Sequence, residues 1–331
     1  MSTPLRVVIV TESFLPQING VTNSVLRVLE YLRSHGHEAL VIAPESAGGV
    51  NEYAGFRVKR VPSIEMKGML PVGFPQKTLE PLIDGFSPDV IHLASPFFLG
   101  NYAARIAERL EIPTLSIYQT DVAGFARHYG LTLAHDSLKK WVARIHAHTT
   151  RTLAPSNWSC EDLKKSGVNN VHLWQRGVDS MKFSPDKRDI NLRCELLGTR
   201  PDRKLVGYQG GEDLASYYAS LDIFVHTGKH ETFCQSIQEA LASGVPVIAP
   251  NSGGPTDLVK HGWTGFLIDT SNSYSLNHSV NQILHSSEHR LMSERARESV
   301  IHRSWEVVNS QLISHYKDLV LSQSQQNERV A

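Results

Sequence analysis

The sequence predicts an α/β protein of two domains, each built on a doubly wound parallel sheet, with the second domain shortened. Three observations carry this. Short runs rich in Val, Ile and Leu alternate with segments of helical spacing along the first half of the chain. A polar, Pro-marked stretch, RGVDSMKFSP (176–185), reads as a linker to a second alternating series. That second series holds fewer strand runs, four against seven. The domains are placed at 1–178 and 179–310, with a closing helix and tail at 311–331 returning towards the first.

The first strand is 6–12. In 21–34, Val25, Val28, Leu29 and Leu32 recur on one helical face, and Gly36 closes the helix. Strands follow at 38–43, 56–61, 90–94, 114–118, 152–154 and 171–174, with helical spacing in 101–110 and 137–150. The first turn, SFLPQING, lacks GxGxxG, which argues against a dinucleotide-binding oxidoreductase. In the second series the strands are 205–208, 222–226, 245–249 and 265–268, before C-terminal helices.

Composition bounds the partners. Thirty-three Lys and Arg balance 33 Asp and Glu, so no global field recruits nucleic acid. Cys160, Cys194 and Cys234 show no metal-ligand spacing and cannot all pair, as expected in a reducing cytosol. No signal peptide precedes the first strand and no run of eighteen apolar residues occurs, so a cytoplasmic protein is expected.

The most chemically informative run is 230–259, HETFCQSIQEALASGVPVIAPNSGGPTDLV. Glu231 and Glu239 lie just over two helical turns apart, one at a helix mouth and one within it. Thr232 is the expected cap, with Gln235 three residues on; Ile237, Ala240 and Leu241 form the apolar face, and Gly244 stops the helix. Residues 245–250 read as a fully buried parallel strand, and Ser252-Gly253-Gly254-Pro255 as a second helix mouth. Two such mouths at neighbouring strand ends form an anion site, with Glu239 placed for hydroxyl groups: a nucleotide-sugar site.

Some other candidates admit two readings. Gly20 is a plain turn glycine or a place where backbone approaches phosphate. Gln119, Thr120 and Asp121 follow a strand end, where α/β sheets bind ligands, but Asp121 also suits a helix cap. Read on their own, Arg176 is a solvated surface charge and His230 a structural histidine. There is no HExxH and no D-x-D, so no metal is implied. In 137–151, Lys139, Lys140, Arg144 and Arg151 flank Trp141, Val142 and Ile145: either a sheet-covering helix or an interfacial helix facing lipid. The apolar loop MKGMLPVGF (66–74) packs internally or touches lipid.

E-x7-E followed by A-x-G-x-P-V-x-A and G-G-x-x-D, together with PQINGVTNSV, HLASP, YQTDVAGFARHYG, APSNWS, RGVD and RSWEVVNSQLISHY, resembles the retaining glycosyltransferases of family 4. Their fold is GT-B, two Rossmann-like domains. The chain is most similar to the actinobacterial GDP-mannose-dependent α-mannosyltransferases that glycosylate lipid acceptors. The resemblance implies GDP-mannose as donor, a lipid or glycolipid acceptor, no metal cofactor, and work at the cytoplasmic face of the plasma membrane. It places Gly20, Gly253 and Gly254 at the donor diphosphate and makes Arg176 a phosphate or hinge contact. His230 then lines the sugar pocket, Glu231 holds sugar hydroxyls, Phe233 and Cys234 offer backbone donors, and Glu239 takes the ribose. Gln119 and Asp121 form the acceptor-side wall of the reaction centre. One departure stands out. Where the family has a G-R-L-x-x-E-K loop and two more strand–helix units, LVGY runs straight into QGGEDLASYYAS. About sixty residues are missing, and with them the Arg and Lys that grip the diphosphate, so impaired catalysis is the expectation.

Overall fold

The computed structural model describes residues 3–64, 72–74, 76–94, 96–119, 135–198 and 206–330. The chain divides into two compact units, 1–175 with 309–331, and 176–308.

In the first unit the elements run β1 (Arg6–Val10), α1 (Gly20–Ser34), β2 (Glu38–Pro44), β3 (Glu52–Tyr53), β4 (Phe56–Val61), β5 (Ser63–Ile64), β6 (Val72–Gly73), α2 (Leu79–Phe86), β7 (Val90–Leu93), α3 (Phe98–Arg109), β8 (Thr114–Ile117), α4 (His135–Ala147), β9 (Arg151–Ala154), α5 (Asn157–Lys165) and β10 (Val171–Leu173). The sheet order is β10-β9-β8-β7-β1-β2-β4-β3, parallel except for β3 on β4. The seven strands expected from sequence are the seven parallel ones. β1, β2 and β7 are buried almost throughout, as apolar strands covered on both faces must be. Strand order reverses at β1, with β2 on one side and β7 on the other, so the ends of β1 and β7 flank the crevice where such sheets bind ligands. Asn19 caps α1 by accepting from the Val21 and Thr22 amides, and Val25, Val28, Leu29 and Leu32 are buried as predicted.

The second unit holds α6 (Ile190–Gly198), α7 (Gly211–Ala219), β11 (Phe224–Val225), α8 (Gln235–Ala242), β12 (Val247–Pro250), α9 (Pro255–Leu258), β13 (Gly265–Ile268), α10 (Ser273–Leu284) and α11 (His289–Glu298). Its sheet is three parallel strands, β11-β12-β13. The strand expected at 205–208 is a correction: residues 206–208 are not in a strand, and Tyr208 is 82% exposed. An extended segment becomes a strand only by pairing, and β11 pairs with β12 alone among the described residues. The expected linker is also corrected. Val178 and Phe183 are buried in the second unit's core, and the Val178 amide donates to the Arg303 carbonyl.

The last helix, α12 (Trp305–Val330), starts in the second unit and belongs to the first from Asn309 on. There Leu312, Ile313, Tyr316 and Leu319 are buried, and the Tyr316 hydroxyl meets His92 Nδ1 at 2.5 Å.

Candidate functional site

In the second unit the donor-site candidates gather around the N-terminus of α8. The helix begins at Gln235, later than the capping-box pattern suggests, and its cap position is Cys234, left-handed at φ 77°. The cap position is thus Cys234 and not the expected Thr232, a second correction. The cause is the preceding loop. The Gly254 amide donates to the Glu231 carbonyl at 2.7 Å, folding 231–233 onto 253–254. A Cβ on Gly253 would lie 2.7 Å from that carbonyl oxygen, and one on Gly254 2.4 Å from Phe233 Cα. Both glycines are thus required by close backbone approach, before any ligand is considered. The helix they open, α9, is a single turn.

Around this loop the side chains carry perturbed acidities. Glu231 sits with its carboxylate 3.8 Å from His226 Nε2; burial raises its pKa, while a charged His226 would lower it. Glu239, one turn into α8, is pushed up to about 7 by burial, against the pull of Lys182 and a hydrogen bond from Gln235. The Tyr218 phenol beside it is raised by burial and by the Glu239 charge, while its bond with Ser236 works the other way. Burial pushes the Cys234 thiol up to about 11. Phe233 is a core residue, and His230 is exposed.

Arg176 is not a solvated surface charge. It is 7% exposed, and burial lowers its pKa to about 10. Its carbonyl accepts from Gln238 Nε2 at 2.9 Å and that of Gly177 from Gln235 Nε2 at 3.0 Å, tying α8 to the start of the unit. Lys182, Tyr218 and His226 were not singled out from sequence, because each reaches Glu239 or Glu231 only through tertiary packing.

In the first unit, Gly20 is the first residue of α1, and an added Cβ would meet nothing within 4 Å. Gln119 is buried just past β8, where its Nε2 donates to the Ala94 carbonyl at the end of β7. Asp121 and Thr120 lie outside the described residues. Sequence reasoning missed Glu12, which follows β1 at the crevice. Its carboxylate accepts from the Phe97 and Gly100 amides at 3.0 and 2.9 Å, capping α3. Burial still holds its pKa up at about 7, although these amides act to lower it. A carboxylate ending the first strand of such a sheet was the available signal.

α4 uses its apolar face internally: Val142, Ala143 and Ile145 are buried and Trp141 stacks edge-on with Phe97. Lys139 pairs with Asp162 at 2.6 Å and Arg151 with Asp318 at 3.4 Å, while Lys140 and Arg144 are exposed. Of the apolar loop 66–74, only 72–74 is described, with β6 paired antiparallel to β5. No helix among the described residues is long and apolar enough to cross a membrane.

Comparison with known proteins fixes what this frame is. The profile described as Glycosyltransferase Family 4 matches residues 18–182, and that described as Glycosyl transferases group 1 matches 160–299. A GDP-mannose-dependent alpha-mannosyltransferase of Corynebacterium glutamicum is 41% identical over 96% of this chain and 90% of its own length. The chain belongs to glycosyltransferase family 4. A protein of the same description from Mycobacterium tuberculosis is 40% identical over 95% of this glycosyltransferase and 96% of its own length. Among solved structures, a sucrose-phosphate synthase from Thermosynechococcus elongatus matches with TM-score 0.75 at 17% identity, covering 96% of this chain and all of that one. Anabaena HepE in complex with UDP-glucose matches at 0.71 and 16%, covering 95% and 100%. The fold is GT-B. The alignment with the Corynebacterium relative runs to 370 positions against a chain of 331, in keeping with a shortened second domain.

Proposed function

We propose that this glycosyltransferase moves mannose from GDP-mannose to a lipid acceptor with retention of configuration, in glycolipid synthesis, and that its shortened second unit makes the transfer slow. The observation that carries the reading is the pair Glu231 and Glu239, one before and one within the first turns of α8, both with acidity weakened by burial. Glu231 holds sugar hydroxyls and Glu239 the ribose. The first-turn amides of α8 and its dipole, worth about half a charge, face the departing phosphate. As the nucleotide diphosphate leaves, an oxocarbenium-like sugar forms and the acceptor hydroxyl enters on the same face. Gln119 cannot accept a proton, and its amide nitrogen is engaged by Ala94, so the acceptor proton passes to the leaving phosphate. Gln119 and Asp121 wall the acceptor side. Lys140 and Arg144, exposed on α4, supply the contact with anionic lipid at the cytoplasmic membrane face.

The reaction needs no metal and survives EDTA. What it lacks is the family's Arg and Lys on the diphosphate. Each charge-assisted contact of that kind contributes about 1.5–3 kcal/mol, and every 1.36 kcal/mol lost in the transition state costs about tenfold in rate.

Calorimetry tests the assignment. Glu239→Ala should weaken GDP binding by about 1–3 kcal/mol, whereas Glu231→Ala should spare GDP and weaken GDP-mannose. Parent-like binding of GDP-mannose by both variants would remove this helix from the site.

A further inference from the structure

The loop that holds Glu231 also brings together a donor set with a different chemistry. Among the described residues, a ring nitrogen of His226, a Glu231 carboxylate oxygen and Cys234 Sγ all lie within 4.8 Å of one another. They come from three places: the end of β11, the following loop and the cap position of α8. His226 Nε2 is buried and has no hydrogen-bond partner. A buried ring nitrogen without a partner is costly, and coordination satisfies it. Gly228 keeps the space beside it clear: a Cβ there would sit 2.8 Å from His226 Nε2 and 3.6 Å from Glu231 Oε1. Cys234 has a left-handed backbone that a non-glycine residue rarely adopts, and this conformation presents its thiol within the cluster. Glu231, with its side chain 41% exposed, is the open side.

We infer that His226, Glu231 and Cys234 form a site for a thiophilic divalent cation of the zinc class, and that a bound cation excludes the sugar donor from Glu231. Imidazole, carboxylate and thiolate are the donors zinc prefers, at about 2.0–2.3 Å, which sets tetrahedral ligand atoms about 3.3–3.7 Å apart. The three ligand atoms, within 4.8 Å of one another, draw in by up to about 1.5 Å to reach that spacing. Binding displaces the Cys234 proton to solvent, and water fills the fourth position. The cation is an inhibitor, since transfer itself requires none. The binding claim stands apart from the mannosyltransferase reading; only the competition with donor rests on it.

Cobalt(II) tests the site directly, through its thiolate-to-metal charge-transfer absorption, on the full chain under anaerobic reducing conditions. The background is Cys194→Ser, which removes the exposed thiol. One equivalent of cobalt should give the band, and zinc should abolish it. His226→Gln should weaken cobalt binding at least tenfold. Cys234→Gly, which suits the left-handed backbone, and Cys234→Ser, which keeps the volume of this buried side chain, should both abolish the band. No band in the folded background protein, or a band that persists in either Cys234 variant, would overturn the site. GDP-mannose should raise the cobalt concentration needed. If the band is intact but indifferent to GDP-mannose, the metal site stands, the competition is overturned, and Glu231 does not contact the donor.

Discussion

The two units begin from the same plan and differ in how completely they carry it out. Among the described residues of the first, seven parallel strands flank one another, and two polar groups at the crevice have backbone partners: Glu12 on the α3 amides, Gln119 on the Ala94 carbonyl. In the second, three strands among the described residues support the loops that carry Glu231 and Gly253–Gly254. β11, from which His226 and Glu231 emerge, has a neighbour on one side only among the described residues, with Val225 40% exposed. A Rossmann-like unit therefore keeps its ligand-facing loops when strands are removed from one side, because those loops are held by α8 and by the glycines at 253 and 254. Breadth of sheet is what it loses.

This comparison can be broken first at the glycines. Gly265→Ala places a Cβ 1.9 Å from the Val247 carbonyl oxygen, between β12 and β13. It should destabilise the second unit by about 3 kcal/mol or more, at the upper end of overpacking costs, and abolish donor binding. Unfolding followed by hydrogen exchange should show β7 and β8 still protected. Gly254→Ala comes next, at about 1–3 kcal/mol, because its Cβ meets Phe233 Cα at 2.4 Å rather than 1.9 Å and its backbone is right-handed. Gly20→Ala is the counterpart in the first unit: with nothing within 4 Å of the added carbon, stability should change by less than about 0.5 kcal/mol. Any loss of donor affinity there reports ligand approach. Gly20→Ala protein that unfolds like Gly254→Ala would erase the contrast.

A smaller effect is pH dependence, which Glu12 brings to the first unit and Glu239 to the second. Glu239 has its folded pKa raised to about 7 from 4.5, so the folded state binds its proton more tightly than the unfolded chain. The stability this contributes is fully present below about 4.5 and is lost as pH rises to about 7. Over that window the second unit should lose roughly 1–2 kcal/mol, discounted for partial exposure of the carboxylate. Glu239→Gln should flatten the profile. GDP affinity should run the other way, strengthening as pH passes about 7, because the ionised carboxylate is the better acceptor for ribose hydroxyls. An unchanged stability profile in Glu239→Gln would place the carboxylate in solvent.

Much of this was legible in sequence because it rests on local periodicity. The seven parallel strands, the α1 face with Val25, Val28, Leu29 and Leu32, and the buried strand after Gly244 follow from patterns of two and 3.6 residues. The residues that escaped depend on partners distant in the chain. Thr232 reads as a cap only until Gly254 is seen to hold the loop that carries it. Residues 206–208 have strand composition but no strand to pair with. Arg176 reads as surface until the core around Val178 closes over it. Glu12 and His226 acquire meaning from α3 and Cys234, neither of which adjoins them in sequence.

The central claim is that the second unit retains a donor-binding frame but lacks the charge needed to expel the diphosphate. Its most direct test is mannosyl transfer from GDP-mannose to a lipid acceptor, measured for the parent chain and for a chain with a family-type Arg- and Lys-bearing segment inserted between Tyr208 and Gln209. The account predicts slow or undetectable transfer by the parent and a gain of about a hundredfold or more in the insertion chain, since two restored contacts at about 1.5–3 kcal/mol each exceed two factors of ten. Rapid transfer by the parent, unimproved by the insertion, would contradict it.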